Sequence, residues 1–274
     1  MDDALRRIEE MIAEGADVID IGGESTRPGY EHITVQEEIE RVAPIIEMVA
    51  KRFDIPLSID TYKPAVASEA VRKGASLVND IWGFRGENLK TPESGMAQVV
   101  AQNGVSCCIM QNFVLGLDVK KKNYGTGGSF TGDEAFDIGR YDASDAEHDI
   151  DTKVGVASDI VIEGLKECIR LAEKAGIDRN KILLDPGIGF GKTYEDNIQV
   201  LKDLKSIKES FEYPMLLGAS RKSVIGLTLN LSSDQRIEGT LATTARAVEA
   251  GCLFVRVHDI KENSRFIRMY EALR

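Results

Sequence analysis

Short apolar runs alternate with amphipathic helical patterns along the whole 274-residue chain. The runs that read as buried strands lie at 18–21, 57–59, 76–78, 105–110, 182–184, 215–217 and 253–257. Eight helical patterns accompany them, at about 2–15, 34–52, 63–73, 92–103, 156–175, 194–210, 235–250 and 260–273. This alternation predicts parallel strands that are joined by right-handed crossovers and covered by helices.

Two architectures accommodate such a pattern, a closed barrel and an open doubly wound sheet. The chain length favours the barrel, because a (β/α)8 barrel needs about 250 residues. We therefore predict an α/β fold, a TIM (β/α)8-type barrel, as a single domain over residues 1–274. The first pattern is a helix and strands number one fewer than helices, so the first β-strand and its loop are expected to be missing. A seven-stranded barrel would expose two edges and leave a gap in its core, and we expect it to be poorly active.

Composition excludes several classes of protein. The chain has 34 Lys and Arg against 45 Asp and Glu, a net charge of −11, and duplex nucleic acid requires clustered basic residues. The N-terminus has no apolar segment of the kind found in signal peptides, and no run of about 18 apolar residues predicts a membrane span. The four cysteines have neither CxxC spacing nor histidine neighbours, which indicates buried, reduced thiols. We expect a cytoplasmic protein.

One stretch, at about 113–155, interrupts the alternation. It is rich in Gly, Asp and Lys and follows the fifth position of the predicted barrel. Loops of this length are usually functional lids or disordered segments. Its three consecutive lysines are expected to be a solvated patch.

Polar or ionisable side chains follow each predicted strand at its carboxyl end. In α/β barrels this end of the strands carries the active site. One such residue could simply cap the following helix, but seven strand ends in succession indicate a common pocket. Carboxylates and an amide suit a flat heterocycle with N–H donors, and they are supplied by Asp60, Asn79 and Asp185. Cationic groups suit a phosphate or pyrophosphate, and they are supplied by Arg27, Arg256 and His258.

Taken together, these strand ends resemble the dihydropteroate synthase family. The matching segments are DIGGESTRPG at 20–29, SIDT at 58–61, NDI at 79–81, DPGIGFGK at 185–192, SRKS at 220–223 and RVHD at 256–259. They occur in the family's order and extend over nearly the whole chain. The resemblance implies a TIM barrel, usually a homodimer, that condenses 6-hydroxymethyl-7,8-dihydropterin pyrophosphate with p-aminobenzoate. The products are 7,8-dihydropteroate, an intermediate of folate biosynthesis, and pyrophosphate.

The resemblance also implies roles for individual residues. The pterin would be bound by Asp60, Asn79, Asp185 and Lys222. The pyrophosphate would be bound, with Mg²⁺ assisting, by Arg27, Arg256 and His258. The p-aminobenzoate site, where sulfonamides also bind, would be lined by Thr26, Phe190 and Ser223. The residues expected to act in catalysis are Lys222, Asp185, Arg256 and His258, none of them as a covalent nucleophile.

Departures from the family pattern leave other interpretations open. The family's first strand carries an Asn that contributes to the Mg²⁺ site, and no such segment occurs here, so the metal ligands are unknown. Gln111 stands where His is frequent, and Ile188 where Phe is common. One alternative is a non-catalytic pterin-binding paralogue. Another is a pterin-dependent methyltransferase, which is disfavoured because the segments at 220–223 and 256–258 suit a pyrophosphate. No nucleic acid or membrane partner is expected.

Overall fold

The computed structural model describes residues 2–25, 31–85, 95–112 and 156–274. The described strands are β1 (Ile19–Gly22), β2 (Leu57–Asp60), β3 (Leu77–Asp80), β4 (Ser106–Met110), β5 (Ile182–Asp185), β6 (Leu216–Leu217) and β7 (Phe254–Val255). Each of the seven predicted strands is therefore confirmed, with bounds that shift by one or two residues. The predicted loop at 113–155 lies outside the described residues.

The helices in the described ranges number ten rather than the predicted eight. They are α1 (Asp2–Glu14), α2 (Val35–Arg52), α3 (Pro64–Lys73), α4 (Met96–Asn103), α5 (Val156–Lys174), α6 (Tyr194–Lys202), α7 (Leu204–Glu209), α8 (Ser223–Leu229), α9 (Ile237–Ala250) and α10 (Ile260–Ala272). The single helix predicted at 194–210 was wrong, because the backbone leaves helical geometry at Asp203 and two helices form. Helix α8 was missed because seven residues are too few to show a clear helical period.

All strand pairings are parallel. The order β1-β2-β3-β4-β5 forms one sheet, and β6 pairs with β7. A bridge between Leu184 and Met215 joins β5 to the start of β6, so the seven strands follow one another in chain order. In the part of the chain that the structure describes, no ladder joins β7 to β1.

The outer helices continue past that unpaired position. Helix α1 packs between α10 on one side and α2 on the other. Arg7 of α1 also donates from Nη2 to the carbonyl oxygen of His258, at 3.3 Å. The helical layer therefore covers the side of the molecule where β1 and β7 lack a shared ladder. None of the described helices combines the length and the apolar character that crossing a membrane requires.

The two faces of the strands differ in chemistry. Residues facing the helices form the apolar core, which includes Ile19, Ile21, Leu57, Ile59, Val78, Cys107, Ile109, Ile182 and Leu184. The alternate residues are more polar than a doubly buried strand predicts. Register places Gly22, Asp60, Asn79 and Cys108 side by side, and sets Met110 beside Asp185. The interior of the sheet is therefore a polar surface, with its ionisable groups concentrated at the carboxyl ends.

Candidate active site

Two carboxylates, an amide and a guanidinium meet inside the strands. Asn79 Nδ2 donates to Oδ2 of Asp20 at 3.3 Å, and Arg256 Nε donates to the same oxygen at 2.5 Å. Arg256 Nη2 donates to Oδ2 of Asp60 at 2.6 Å. The other oxygens, Asp20 Oδ1 and Asp60 Oδ1, are buried and accept no hydrogen bond from the described residues. Buried polar atoms normally have a partner, so these oxygens suit the donors of a ligand.

Burial changes the protonation of Asp60. Removal from water raises the pKa of this carboxyl to about 7, although the nearby Arg256 guanidinium lowers it. Repulsion from Asp20 and Glu38 adds to the rise. Asp60 therefore exchanges a proton near neutral pH, and only its ionised form is purely an acceptor of hydrogen bonds.

A tight turn after β5 holds Asp185. Its Oδ1 accepts the backbone N–H of Gly187 at 2.7 Å, and burial raises the pKa of the carboxyl while Lys222 opposes the rise. The buried Lys192 amine closes the same turn by donating to the carbonyl of Gly187, at 2.8 Å, and to that of Gln111, at 3.4 Å. Gly187 has φ +70°, and a Cβ there would lie 1.9 Å from the Gln111 carbonyl oxygen. Only glycine fits this position.

The Lys222 amine reaches over the β5 turn from the opposite side. It donates to the carbonyl of Ile188 and lies 4.3 Å from the centroid of the Phe190 ring. A Cβ at Gly189 would come within 2.9 Å of the Lys222 side chain, so the turn leaves room for it. Burial lowers the pKa of Lys222 to about 8, against the opposing attraction of Asp185. The charge of the Lys222 amine and those of Asp60 and Asp185 thus affect one another's pKa values.

An apolar wall borders the polar groups. Tyr62, Ile81, Trp82 and Met110 form a small buried cluster of their own, and the partly buried Phe190 packs against it. The cluster joins the ends of β2, β3 and β4 to the β5 turn. The Nε1 of Trp82 is buried and has no hydrogen-bond acceptor among the described residues. Aromatic faces beside carboxylates and an amine suit a planar, polar ligand.

The ends of β6 and β7 supply the remaining predicted residues. His258 contacts Oγ of Ser220 through its ring Nδ1, at 3.0 Å, and through its backbone N–H, at 3.2 Å. Arg221 forms a two-bond ion pair with Asp259, which ties the β6 turn to the loop after β7. Ser223 is exposed at the first position of α8. These residues form the rim of the pocket rather than its base.

A second polar cluster anchors the loop after β1. The buried carboxylate of Glu24 accepts the Tyr62 hydroxyl at 2.5 Å, the Lys63 amine at 2.7 Å and the backbone N–H of Ile33 at 2.9 Å. Burial raises the pKa of Glu24, but the hydrogen bonds from Lys63 and Tyr62 outweigh it and lower the pKa overall. Lys63 also pairs with the buried Glu38 at 2.8 Å. Both ends of the segment between residues 24 and 33 are thereby held together.

Eight of the ten predicted site residues lie in described ranges, whereas Thr26 and Arg27 lie outside them. Asp60, Asn79, Asp185, Lys222, Arg256, His258, Phe190 and Ser223 all lie at the carboxyl ends of the strands. Asp20 and Glu24 were not predicted as site residues. Asp20 could have been recognised from its place inside an otherwise apolar strand, since a carboxylate there must have a partner. Glu24 offered no local signal, because its side-chain partners lie 38 and 39 residues further along the chain.

A metal cluster is not evident in the described parts of the chain. No group of three or more His, Cys, Asp or Glu side chains there could hold a metal ion. Mg²⁺ does not require such a group, because it commonly binds through one or two carboxylates together with waters and substrate phosphates. The Oδ1 atoms of Asp20 and Asp60, which accept no hydrogen bond from the described residues, are carboxylate oxygens of the kind that bind Mg²⁺. They fit a Mg²⁺ ion that is also bound by a phosphorylated ligand.

Comparison with known proteins gives the class of this pocket. A family model described as pterin binding enzyme matches residues 1–258. Dihydropteroate synthase of Clostridium beijerinckii is 45% identical over the whole of this chain and 86% of its own length. A crystal structure of the Clostridium difficile enzyme, determined in the presence of pteroic acid, is 38% identical and covers 99% of this chain and 88% of its own, with a TM-score of 0.79. The Xanthomonas albilineans enzyme with 4-aminobenzoic acid is 34% identical over 99% and 84% of the two chains, also with a TM-score of 0.79.

These matches define a pterin-binding enzyme. The chain belongs to the dihydropteroate synthase family, whose members are transferases of folate biosynthesis. The expected TIM-barrel class is confirmed by the solved relatives, and the described residues contain seven parallel strands in chain order, without a ladder between β7 and β1. The methyltransferase interpretation has no support among these matches.

Proposed function

We propose that the pocket binds 6-hydroxymethyl-7,8-dihydropterin pyrophosphate and p-aminobenzoate and joins them to give 7,8-dihydropteroate and pyrophosphate. The observation that carries this proposal is the convergence of buried acceptors, a buried amine and an aromatic wall at one end of the strands. The cluster consists of Asp60, Asn79, Asp185 and Lys222, beside the wall formed by Tyr62, Ile81, Trp82, Met110 and Phe190.

The pterin is assigned to the base of the pocket. Its ring N–H and amino donors match the carboxylates of Asp60 and Asp185, each of which can accept two hydrogen bonds. The Asn79 amide can both donate and accept, and the Lys222 ammonium donates to a ring nitrogen or carbonyl oxygen. A neutral heterocycle that provides both donors and acceptors uses all four groups, whereas a simple cation or anion does not.

The pyrophosphate arm is assigned to the rim. Arg256 and His258 follow β7, so they stand beside the pterin groups, and Arg27 from the first loop is proposed to join them. Arg256 is bonded to Asp20 and Asp60, and 43% of its side chain is exposed, so it can also reach an anion at the pocket mouth. Cationic groups at this place stabilise the charge that gathers on the leaving group in the transition state more than in the ground state.

The chemical step is a substitution at the methylene carbon of the pterin. The aromatic amine nitrogen of p-aminobenzoate forms the new C–N bond, the C–O bond to pyrophosphate breaks and leaves its electron pair on the pyrophosphate, and the amine passes one proton to solvent water. The amine is already nucleophilic at neutral pH, so no covalent enzyme intermediate is required. Asp185 and Lys222 act by orienting the pterin, and Arg256 and His258 act by stabilising the leaving group. We assign p-aminobenzoate to Thr26, Phe190 and Ser223.

Mg²⁺ is proposed as the metal that accompanies the pyrophosphate. When bound, it would neutralise part of the charge on the phosphate oxygens. The carboxylate oxygen that could hold it is Asp20 Oδ1, which is buried without a hydrogen-bond partner among the described residues, since Asp60 is assigned to the pterin. This assignment is tested by calorimetry of Mg²⁺ binding in the presence of pyrophosphate, with the wild-type chain and with Asp20→Asn. Binding should be weaker in the variant, and equal binding would contradict the assignment.

Calorimetric titration with the pterin pyrophosphate and Mg²⁺ tests the proposed function. We expect the wild-type chain to bind, and to release pyrophosphate slowly when p-aminobenzoate is added, because a seven-stranded barrel is expected to be poorly active. Lys222→Ala should abolish turnover while the Tm stays within a few degrees, because the Lys222 side chain is not part of the apolar core. Lys205→Ala, on the exposed surface of α7, is the matched control and should behave as wild type.

Three outcomes separate the alternatives. Binding with pyrophosphate release supports the synthase. Binding without release, at saturating p-aminobenzoate, supports a non-catalytic pterin-binding paralogue. Failure to bind the pterin would remove both.

The setting of the protein is proposed in the same way. We propose a cytoplasmic homodimer without nucleic acid or membrane partners, on the resemblance to the family. The described cysteines are all free, as expected in a reducing compartment. Two exposed apolar side chains, Met269 near the end of α10 and Leu273 just after it, suit a contact with a second copy. Light scattering of the purified chain tests the dimer.

A further inference from the structure

A buried arginine outside the pocket holds the turn that carries Lys222. Arg236 precedes α9 and is 7% exposed. Its Nη1 donates to the carbonyl of Arg221 at 2.9 Å and to that of Lys222 at 3.3 Å. Its Nε and Nη2 donate to the carbonyl of Leu231 at 2.9 and 2.8 Å. The planar guanidinium thus spans the two ends of α8, since one set of carbonyls precedes that helix and the other follows it.

The same turn is strained. Arg221 has φ +58°, a left-handed conformation that costs a non-glycine residue roughly 1–2 kcal/mol. Its backbone N–H donates to Oγ1 of the fully buried Thr240 at 3.1 Å, and its carbonyl accepts from Arg236. Thr240 in turn donates to the Arg236 carbonyl at 2.8 Å. Both backbone polar groups of the strained residue are therefore satisfied by the start of α9, which makes the conformation stable.

We infer that Arg236 is a positioning residue for Lys222. Its hydrogen bonds to the carbonyls of residues 221, 222 and 231 fix the strained turn, and this turn directs the Lys222 amine into the pterin pocket. Its significance for catalysis rests on the function proposed above. Arg236 itself lies behind the turn and touches no group assigned to substrate. Lysine could not replace it, because a single ammonium cannot bond three carbonyls in the fixed plane of a guanidinium.

Space around the guanidinium is reserved by a glycine. A Cβ at Gly226, in the middle of α8, would lie 2.1 Å from Nη2 of Arg236. Gly226→Ala therefore displaces the guanidinium without removing its charge, and alanine otherwise favours the helix. This variant tests the position of Arg236 independently of its chemistry. If Arg236→Met failed to fold, Gly226→Ala and Arg236→Lys would still decide the question.

Arg246 provides the matched control. It lies on α9 as well, and it donates to the backbone carbonyls of Lys202 at 2.8 Å and Leu201 at 3.4 Å. Those carbonyls belong to the end of α6, away from the Lys222 turn. Arg246→Met removes these two hydrogen bonds to carbonyls, and an ion pair with Glu249, without touching the Lys222 turn, and should leave Lys222 unaffected.

The first measurement needs no pterin. Acetylation of Lys222 is followed against pH by mass spectrometry, with the exposed Lys205 as internal reference. In the wild-type chain burial, together with the nearby Arg256 charge, lowers the pKa of Lys222 to about 8, against the attraction of Asp185 and Asp60. We expect the titration to move towards the ordinary value of 10.5 in Arg236→Met and Gly226→Ala, and to stay in place in Arg246→Met.

The second measurement is a double-mutant cycle on pterin pyrophosphate binding. Arg236→Met should raise the Kd by about tenfold when Lys222 is present. In the Lys222→Ala background it should raise the Kd much less, because the effects of coupled residues are not additive. A merely structural role would weaken binding equally in both. An unchanged Lys222 titration in folded Arg236→Met and Gly226→Ala proteins overturns the inference, as does additivity in the cycle. The labelling result is valid whether or not the chain binds pterin, so failure of the proposed function is recognised separately.

Discussion

Asp60 and Lys222 face one pocket with pKa values displaced towards each other. Burial raises the pKa of Asp60 to about 7 and lowers that of Lys222 to about 8. If the pterin requires the Asp60 carboxylate and the Lys222 ammonium, kcat/KM should rise as the pH passes about 7 and fall as it passes about 8. Asp60→Asn should remove the acidic limb and keep the basic limb. A profile that is flat across both values would contradict these roles.

Individual site residues could be predicted from sequence where strand and function coincide. Asp60, Asn79 and Asp185 each end a short apolar run, so the rule for parallel strands was enough to bring them together. Their protonation could not be predicted, because it depends on burial and on Arg256, which lies 196 residues from Asp60. Asp20 could have been recognised as a carboxylate inside an apolar strand, but its partner Arg256 could not, because it lies at the other end of the chain.

Among the elements, the turn after β5 has the strictest requirements. Gly187→Ala places a Cβ 1.9 Å from the Gln111 carbonyl oxygen at φ +70°, whereas Gly176→Ala has φ +82° with nothing within 4 Å. We expect Gly176→Ala to cost about 1 kcal/mol of unfolding free energy from its conformation. Gly187→Ala should cost roughly 1–3 kcal/mol more from overpacking, and it should also weaken pterin binding because it displaces Asp185. Urea unfolding of both variants checks the difference, and equal losses would be the contrary result.

The sequence patterns predicted which helices and strands form better than they predicted where each of them begins and ends. Every strand was predicted, because apolar runs between helical patterns are distinctive. The break between α6 and α7 at Asp203 could not be predicted, since no glycine or proline marks it and Leu204 continues the apolar face. Helix α8 was missed because its seven residues are too few to show a clear helical period.

At the scale of the whole molecule, Arg256 connects β7 to β1, two strands that share no ladder in the described structure. This residue follows β7 and bonds Asp20 of β1 and Asp60 of β2. Arg256→Met leaves two neighbouring carboxylates without their cation, and we expect the unfolding free energy to fall by about 1–2 kcal/mol, at the low end for such a pair because Arg256 is partly exposed. Arg52→Met breaks the exposed pair with Glu9 and should cost less than about 1 kcal/mol.

Thermal unfolding of the two variants checks this prediction. A loss in Arg256→Met no larger than that in Arg52→Met would mean that the ion pairs across β1 and β7 do not stabilise the fold. The barrel class itself could be predicted from sequence, since alternation and length suffice. The way in which β7 and β1 are connected could not, because it depends on one side chain.

The position of Arg256 makes ligand affinity and resistance to unfolding compete for a single side chain. When a pyrophosphate draws the guanidinium towards the mouth, β1 and β7 lose part of what connects them. Part of the favourable free energy of binding the anion is then offset by the loss of the bonds from Arg256 to Asp20 and Asp60. The dissociation constant of the pyrophosphate would therefore be larger than its contacts with Arg256 alone would give, and ligand binding would stabilise the fold by correspondingly less, unless a donor on the pterin or the Mg²⁺ ion replaces Arg256 at the two carboxylates.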